Sequence, residues 1–134
     1  MIWAVELADE LEAEWDDLSA QVQDEILAHA KLLERFGPQL GRPRVDTLNG
    51  SKHSKMKELR FDAAGGVWRV AFAFDADRIA VLLIALDKDG TSKKLFYKRL
   101  VKHADKRFDA HLARVEEGDK DGTRSKRKAR RALR

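Results

Sequence analysis

The segment RIAVLLIALD, residues 78–87, constrains the fold more than any other part of the chain, because it is apolar almost throughout. A strand of this kind is typical of a sheet interior that is covered on both faces. The preceding segment VWRVAFAFD, residues 67–75, alternates instead. The two-residue period of a strand puts Trp68, Val70, Phe72 and Phe74 on one face, and Arg69, Ala71, Ala73 and Asp75 on the other.

A third strand is predicted over KMKELRFDA, residues 55–63, because the intervening AGG is typical of a hairpin turn. Leu59 and Phe61 point to one face of this strand, and Glu58 and Arg60 to the other. If the helices cover one side of the sheet, Arg60 and Arg69 are expected to lie together on the less covered side.

The chain before these strands predicts one further strand, followed by helices. IWAVEL, residues 2–7, is β-prone and predicts a first, edge-pairing strand. From Asp9 onward, apolar residues recur at three- and four-residue steps, which is typical of helices. Ser19 is a candidate N-cap for a second helix, which Gly37 ends. Residues 94–117 predict one long amphipathic helix. The predicted class is α+β, with an N-terminal strand, an antiparallel helical pair, a three-stranded antiparallel sheet and a long C-terminal helix.

Charge is distributed unevenly along the 134 residues. Residues 1–41 carry a net charge of −8, whereas residues 42–118 and residues 119–134 carry +6 each. Clustered Lys and Arg suggest a polyanionic partner, although a solvated surface explains the same pattern. We predict one domain over residues 1–118 and a basic, flexible tail over residues 119–134, which either condenses on RNA or only aids solubility.

Several function classes are excluded by composition. The chain has no cysteine, and therefore no disulfide, thiolate nucleophile or cysteine-bound zinc. No apolar run approaches the roughly 18 residues of a membrane span. The start of the chain is acidic and lacks the basic region of a signal peptide. We expect a cytoplasmic protein with no membrane partner.

Four stretches resemble the RelE/ParE toxin superfamily, and within it the HigB-type, phage Gp49-like branch. They cover about residues 2–113 and read WAVELADELEAEWDDL, LGRPRVDTLNGSKHSKMKELRF, WRVAFAFDADRIAVLLIALDKDG and FYKRLVKHADKRFDAHL. KELR followed by WRVAFAFD is the most specific part. The resemblance implies a RelE-like fold and the toxin of a type II toxin–antitoxin pair.

The resemblance also implies an activity and partners. Most RelE- and HigB-like toxins are endoribonucleases that cut messenger RNA in the ribosomal A site. They need no metal or other cofactor, because the RNA 2′-hydroxyl attacks the adjacent phosphate and leaves a 2′,3′-cyclic phosphate and a 5′-hydroxyl. The implied partner is a cognate antitoxin, typically a helix-turn-helix DNA-binding protein.

Candidate catalytic residues follow from what this reaction needs, namely a base, cationic donors for the phosphate and an acid. Arg60 and Arg69 match the arginines of the family pattern and suit phosphate oxygens. Alternatively, they are surface arginines bonded to Glu58, Asp62 or Asp75. Lys57 is a base only if crowded cations lower its pKa. Tyr97, the only tyrosine, lies where related toxins carry a Tyr or His, but an amphipathic packing role is equally open.

Candidate RNA-binding residues flank this set; they are Lys52, His53, Lys55, Lys88, Lys94 and Lys98. His53 is also a weaker candidate for the base, because histidine titrates near neutral pH. The other histidines, His29, His103 and His111, are expected to be ordinary helix residues. No spacing of His and carboxylate residues favours a metal site.

Two other functions stay open. One is a ParE-like gyrase inhibitor, which would not need converging Lys57, Arg60, Arg69 and Tyr97. The other is an inactive RNA-binding relative of phage origin. The antitoxin is expected either to cover the Arg60 and Arg69 face or to dock on the acidic N-terminal helices.

Overall fold

The structure, a computed structural model, describes residues 3–121 and the side chains of residues 3–118. Its strands are β1 (Ala4–Leu7), β2 (Val45–Thr47), β3 (Lys57–Ala63), β4 (Gly66–Phe74) and β5 (Ile79–Asp87). Its helices are α1 (Asp9–Glu14), α2 (Ala20–Phe36) and α3 (Lys93–Asp121), with short 3-10 turns at Trp15–Asp17 and Gly37–Gln39. Residues 122–134, most of the expected basic tail, lie outside the described range.

The strands form one sheet in the order β1-β5-β4-β3-β2. Strand β1 runs parallel to β5, and all the other neighbours are antiparallel. The α+β class is confirmed, but the sheet has five strands. The three-stranded prediction was incomplete because β1 joins the same sheet, and because β2 has only three residues and too little alternation to reveal it.

Local sequence signals are confirmed at both ends of α2. The Ser19 hydroxyl accepts a hydrogen bond from the Val22 amide at 3.3 Å. Gly37 ends the helix with φ of 57°, and a Cβ there would lie 2.3 Å from Trp3 Nε1. Glycine is therefore required both for the backbone angle and for the close approach of the indole. The first helix of the expected pair is short, since α1 has only six residues.

The sheet is covered on both faces. Helix α2 packs on the face that carries Leu59, Phe61 and Phe72. Helix α3 packs its apolar stripe of Phe96, Leu100, Ala104 and Phe108 on the other face, against Ala71, Ala73, Val81 and Leu83. The expectation that the side of Arg60 and Arg69 is the less covered one was wrong, because an amphipathic helix of this length must bury its stripe and two alanines of β4 leave room for it. Strand β5 is interior and buried over Ile79–Ile84, as predicted.

Charged contacts hold α3 against the N-terminal part of the chain. Arg107 forms two 2.7 Å hydrogen bonds to the Glu14 carboxylate and a third, of 2.9 Å, to the Leu83 carbonyl. Arg114 contacts Asp9 at 3.0 Å and Glu10 at 3.1 Å. No helix within residues 3–121 is long and apolar enough to cross a membrane.

Candidate functional site

A cleft of about 250 Å³ opens between the β2–β3 edge of the sheet and the start of α3. We call it the edge cleft; its lining residues are Asp46, Thr47, Asn49, Glu58, Arg60, Lys93 and Tyr97. The alternation of β3 points Glu58 and Arg60 to the face that α3 covers, and the first turns of α3 bring Lys93 and Tyr97 over them.

Arg60 and Arg69 are directly opposite each other in the β3–β4 register, so the prediction that they lie together is confirmed. Their environments differ. The Arg60 side chain is 30% exposed, and its Nη1 lies 3.5 Å from Asp46 Oδ2 and from Glu58 Oε2. Both distances exceed those of a close charged hydrogen bond, so Arg60 is held loosely at the mouth of the cleft.

Arg69 lies beneath this mouth and is only 7% exposed. Its Nε donates to the Tyr97 hydroxyl at 3.3 Å, and its Nη1 donates to the Trp68 carbonyl at 2.9 Å. The same Nε is 3.8 Å from Glu58 Oε1. The expectation of an open arginine pair was therefore wrong for Arg69, because α3 and Tyr97 cover it.

Glu58 lines the edge cleft, although the sequence did not single it out for a catalytic role. Burial raises the pKa of its carboxyl, and this effect outweighs the opposing hydrogen bond from Tyr97 and the nearby charges of Arg60 and Arg69. Burial also raises the pKa of the Tyr97 hydroxyl. Its place in the site could have been predicted, because Glu58 precedes Arg60 by two residues and therefore lies on the same face of the strand. Sequence reasoning treated it only as a partner for the arginines.

Lys57 is not part of this group. It occupies the β3 position opposite Phe72 of β4, and it alternates with Glu58, so its side chain leaves the sheet on the face away from the edge cleft. There it lines a different cleft, together with Lys55. The structure therefore does not bring Lys57 to Arg60, Arg69 and Tyr97.

Lys52 and His53 fasten their loop to α3. His53 Nε2 lies 2.9 Å from Asp109 Oδ1, and its ring packs edge-on against Phe108 at 4.8 Å between centroids. Lys52 pairs with the same Asp109, and the Lys52 amide donates to Asp105 at 3.2 Å. Neither side chain lines the edge cleft.

The remaining predicted cations lie around the start of α3. Lys88 Nζ is 5.8 Å from the centroid of the Tyr97 ring. Lys94 and Lys98 are exposed on α3. Lys93, which the sequence did not single out, is the lysine that lines the edge cleft. Lys93 directly precedes Lys94, a predicted RNA-binding residue, and this proximity could have indicated its place in the site.

The other histidines lie outside the edge cleft. His29 is buried, with Nδ1 2.7 Å from the Glu25 carbonyl oxygen, one turn earlier in α2. His111 is buried, with Nε2 3.2 Å from Asp75 Oδ2. Burial, followed by the nearby charge of Arg107, lowers the pKa of His103. Within the described part of the chain, no group of three or more His, Asp or Glu side chains is arranged to hold a metal ion.

Comparisons with known proteins identify a family and relatives of this chain. Residues 13–109 match the model of the phage-derived Gp49-like protein family. A Mycobacterium tuberculosis protein assigned as toxin HigB2 is 36% identical over 96% of the chain, which spans 61% of that relative's length. A second protein from this organism, assigned as toxin HigB3, is 40% identical over 82% of the chain and 94% of its own length.

The fold is also similar to a solved structure of a double-arginine mutant of Escherichia coli toxin RelE in its free state. The TM-score is 0.53 at 10% identity, over 75% of this chain and 95% of that one. At this identity the likeness concerns the fold alone. The chain belongs to the phage-derived Gp49-like family, and it is a HigB-type member of the toxins that share the RelE fold.

Proposed function

We propose that this protein is the toxin of a toxin–antitoxin pair and that it cuts messenger RNA on the ribosome, with the RNA 2′-hydroxyl as nucleophile. One observation carries the proposal. A partly exposed arginine, Arg60, stands at the mouth of a cleft whose floor holds a buried carboxyl, Glu58, in contact with Tyr97. These are the three kinds of group that metal-independent phosphoryl transfer requires.

Arg60 binds the scissile phosphate. Its two acidic neighbours, Asp46 and Glu58, lie at 3.5 Å and bind it only loosely. A phosphate at the cleft mouth can therefore accept hydrogen bonds from the N–H groups of the Arg60 guanidinium. A guanidinium is always charged and stabilises the extra negative charge of a pentacovalent phosphate. Arg69 positions the floor of the cleft through its contact with Tyr97.

Glu58 is the general base in this proposal, in place of Lys57. A base works best when its pKa is near the operating pH, and burial moves the pKa of Glu58 toward that range. Glu58 takes the proton of the 2′-hydroxyl, whose oxygen then attacks phosphorus. As the bond from phosphorus to the 5′-oxygen breaks, Tyr97 donates its proton to that oxygen. Because Tyr97 and Glu58 line the same cleft, the proton then passes from Glu58 to Tyr97, and neither residue is consumed.

A cognate antitoxin, of the helix-turn-helix type, is the proposed protein partner, and the messenger RNA in the ribosomal A site is the proposed substrate, both in the cytoplasm. The acidic helix α1 is a weaker docking surface than its sequence indicated, because Glu14 and Glu10 are paired with Arg107 and Arg114 of the same chain. We therefore favour an antitoxin that covers the edge cleft and so blocks Arg60 directly.

A reconstituted translation reaction tests the proposal. Purified protein is added to ribosomes stalled on a short end-labelled messenger RNA, and the cleavage rate is measured under single-turnover conditions. Arg60→Ala is expected to cut at least about a hundredfold more slowly than the unsubstituted chain, the usual cost of losing a transition-state charge partner. Arg35→Ala, which removes an exposed arginine on α2, is the matched control and should cut normally. Equal rates for the unsubstituted chain and Arg60→Ala would contradict the proposal.

A further inference from the structure

A second and larger cleft, of about 490 Å³, lies at the end of the sheet where β2 and β4 finish and β3 and β5 begin. We call it the basal cleft. The lining residues that matter here are Trp3, Lys55, Lys57, Phe74, Asp75 and Arg78. Thr47, at the end of β2, lines both this cleft and the edge cleft, so the two openings meet at one edge strand.

Cations without acidic partners surround the basal cleft. Among the described side chains, no ion pair involves Lys55, Lys57 or Arg78, whereas Arg60, Arg107 and Arg114 all have carboxylate partners. The acid of this lining, Asp75, is turned away: its side chain is 2% exposed and contacts His111 and the Ile79 amide. The cleft therefore presents uncompensated positive charge to a ligand.

An aromatic platform forms one wall of the basal cleft. The Arg78 guanidinium lies over the Trp3 indole at 4.0 Å from the ring centroid, and Phe74 meets the same indole edge-on at 5.0 Å. Arg78 is held in this place by a left-handed backbone, with φ of 64°, in the turn before β5. Nucleobases stack on aromatic rings and on arginine planes, and phosphates pair with neighbouring lysines.

We propose that the basal cleft binds one nucleotide unit of single-stranded RNA, with the base stacked on the Arg78–Trp3 pair and the phosphate between Lys55 and Lys57. The inference rests on the proposed function, because the bound nucleotide belongs to the strand whose scissile phosphate enters the edge cleft. It gives Lys57 a binding role and explains why the basic stretch of residues 50–60 supplies cations to both faces of the sheet.

Binding of an uncleavable strand tests the inference without reference to catalysis. A fluorescent twelve-nucleotide RNA with 2′-O-methyl groups throughout is titrated with the full chain at several salt concentrations. The double variant Lys55→Gln/Lys57→Gln is expected to bind about tenfold more weakly, and its salt slope should fall by about 0.7 for each phosphate that it no longer neutralises. Lys31→Gln/Lys106→Gln removes the same charge from exposed helix positions and should bind as the unsubstituted chain does.

Stacking is tested separately with Arg78→Lys, which keeps the charge but loses the planar group. This variant is expected to weaken binding of an oligoadenosine strand more than binding of an abasic strand of equal length. Melting temperatures equal to that of the unsubstituted chain show that each variant is folded.

The outcomes separate this inference from the proposed function. If Lys55→Gln/Lys57→Gln binds RNA normally, the basal cleft is not an RNA site, even if Arg60→Ala abolishes cleavage. If the double variant binds RNA normally but no longer binds the antitoxin, the cleft belongs to the protein partner and the inference is overturned. Weak RNA binding by the double variant supports the inference even if no chain cuts RNA.

Discussion

The Nε atom of Arg69 lies 3.3 Å from the hydroxyl of Tyr97, and this contact joins the centre of the sheet to the first turns of α3. It also closes the floor of the edge cleft, because Glu58 lies beside both groups. A buried arginine, a buried carboxyl and a tyrosine hydroxyl therefore depend on one another, and their effects on stability and on cleavage can be separated by substitution.

Loss of Arg69 is expected to destabilise the fold through Glu58. Arg69→Ala leaves the Glu58 carboxylate without the buried arginine that lies 3.8 Å from it. This loss should lower the free energy of unfolding by about 3 kcal/mol at neutral pH. In a Glu58→Gln background the same substitution should cost at least about 1 kcal/mol less, because no buried charge is left unpaired. Urea unfolding of the unsubstituted chain, of the two single variants and of the double variant measures this coupling. Additive effects of the two substitutions would show that Arg69 and Glu58 do not interact.

Tyr97→Phe is expected to separate chemistry from stability. Only the hydroxyl is removed, so the free energy of unfolding should fall by about 1 kcal/mol, the typical value of a hydrogen bond such as the one that this hydroxyl accepts from Arg69. Cleavage should fall by about a hundredfold if this hydroxyl protonates the leaving 5′-oxygen. Leu95→Ala, at an exposed position two residues away, is the control and should cut normally. An unchanged cleavage rate in Tyr97→Phe would remove Tyr97 from the acid role.

The pH dependence of stability should report the raised pKa of Glu58. A buried carboxyl with a raised pKa contributes stability that is fully present below its ordinary pKa of 4.5 and is lost as the pH rises through the folded-state pKa. Glu58→Gln removes this loss, so its stability relative to the unsubstituted chain should increase as the pH rises from the ordinary carboxyl pKa of 4.5 through the raised folded-state pKa. A difference that stays constant over this range would show that Glu58 titrates normally.

The cleavage rate should depend on the same titration of Glu58, but it should increase with pH where the stability of the fold decreases. Glu58 acts as a base only when it is ionised, so the single-turnover rate should rise with pH through its raised pKa. Glu58→Gln should lose this ascending limb together with most of the activity. An ascending limb that persists in the variant would assign the base to another residue.

The contact between Arg107 and Glu14 should stabilise the attachment of α3. The hydrogen bonds from Arg107 lower the pKa of Glu14, so this pair contributes stability above the ordinary carboxyl pKa, and that contribution is lost as the pH falls through the lowered one. Arg107→Ala should lower the free energy of unfolding by about 1–2 kcal/mol at neutral pH, since Glu14 is partly exposed to solvent. The effect should shrink in acid, and a pH-independent effect would instead indicate that the loss comes from packing or from the hydrogen bond to the Leu83 carbonyl.

Much of the fold could be predicted because its signals are local. The Ser19 cap, the glycine at residue 37 and the hairpin between β3 and β4 each depend on a few neighbouring residues. Strand β2 depends instead on its pairing with β3, over Val45–Thr47 only, and nothing within three residues reveals it. Coverage of the second sheet face likewise depends on where α3 packs.

The part of the site that depends on local strand alternation could likewise be predicted from the sequence. Register brings Arg60 and Arg69 together, and alternation along a strand was enough to expect it. The same alternation separates Lys57 from Arg60, so this placement was available from the sequence and was missed. The burial of Glu58 and Arg69 was not available, because it arises from Tyr97, which is distant in sequence and reaches them only through α3.

Messenger RNA cleavage in the cell tests the central claim most directly. After brief induction, primer extension on an abundant transcript compares the unsubstituted chain with Arg60→Ala and with the control Arg35→Ala. We expect cuts phased with the codons for the unsubstituted chain and for Arg35→Ala, and none for Arg60→Ala. Growth arrest without new cuts, equally strong in Arg60→Ala, would contradict the endoribonuclease and point to a target other than RNA.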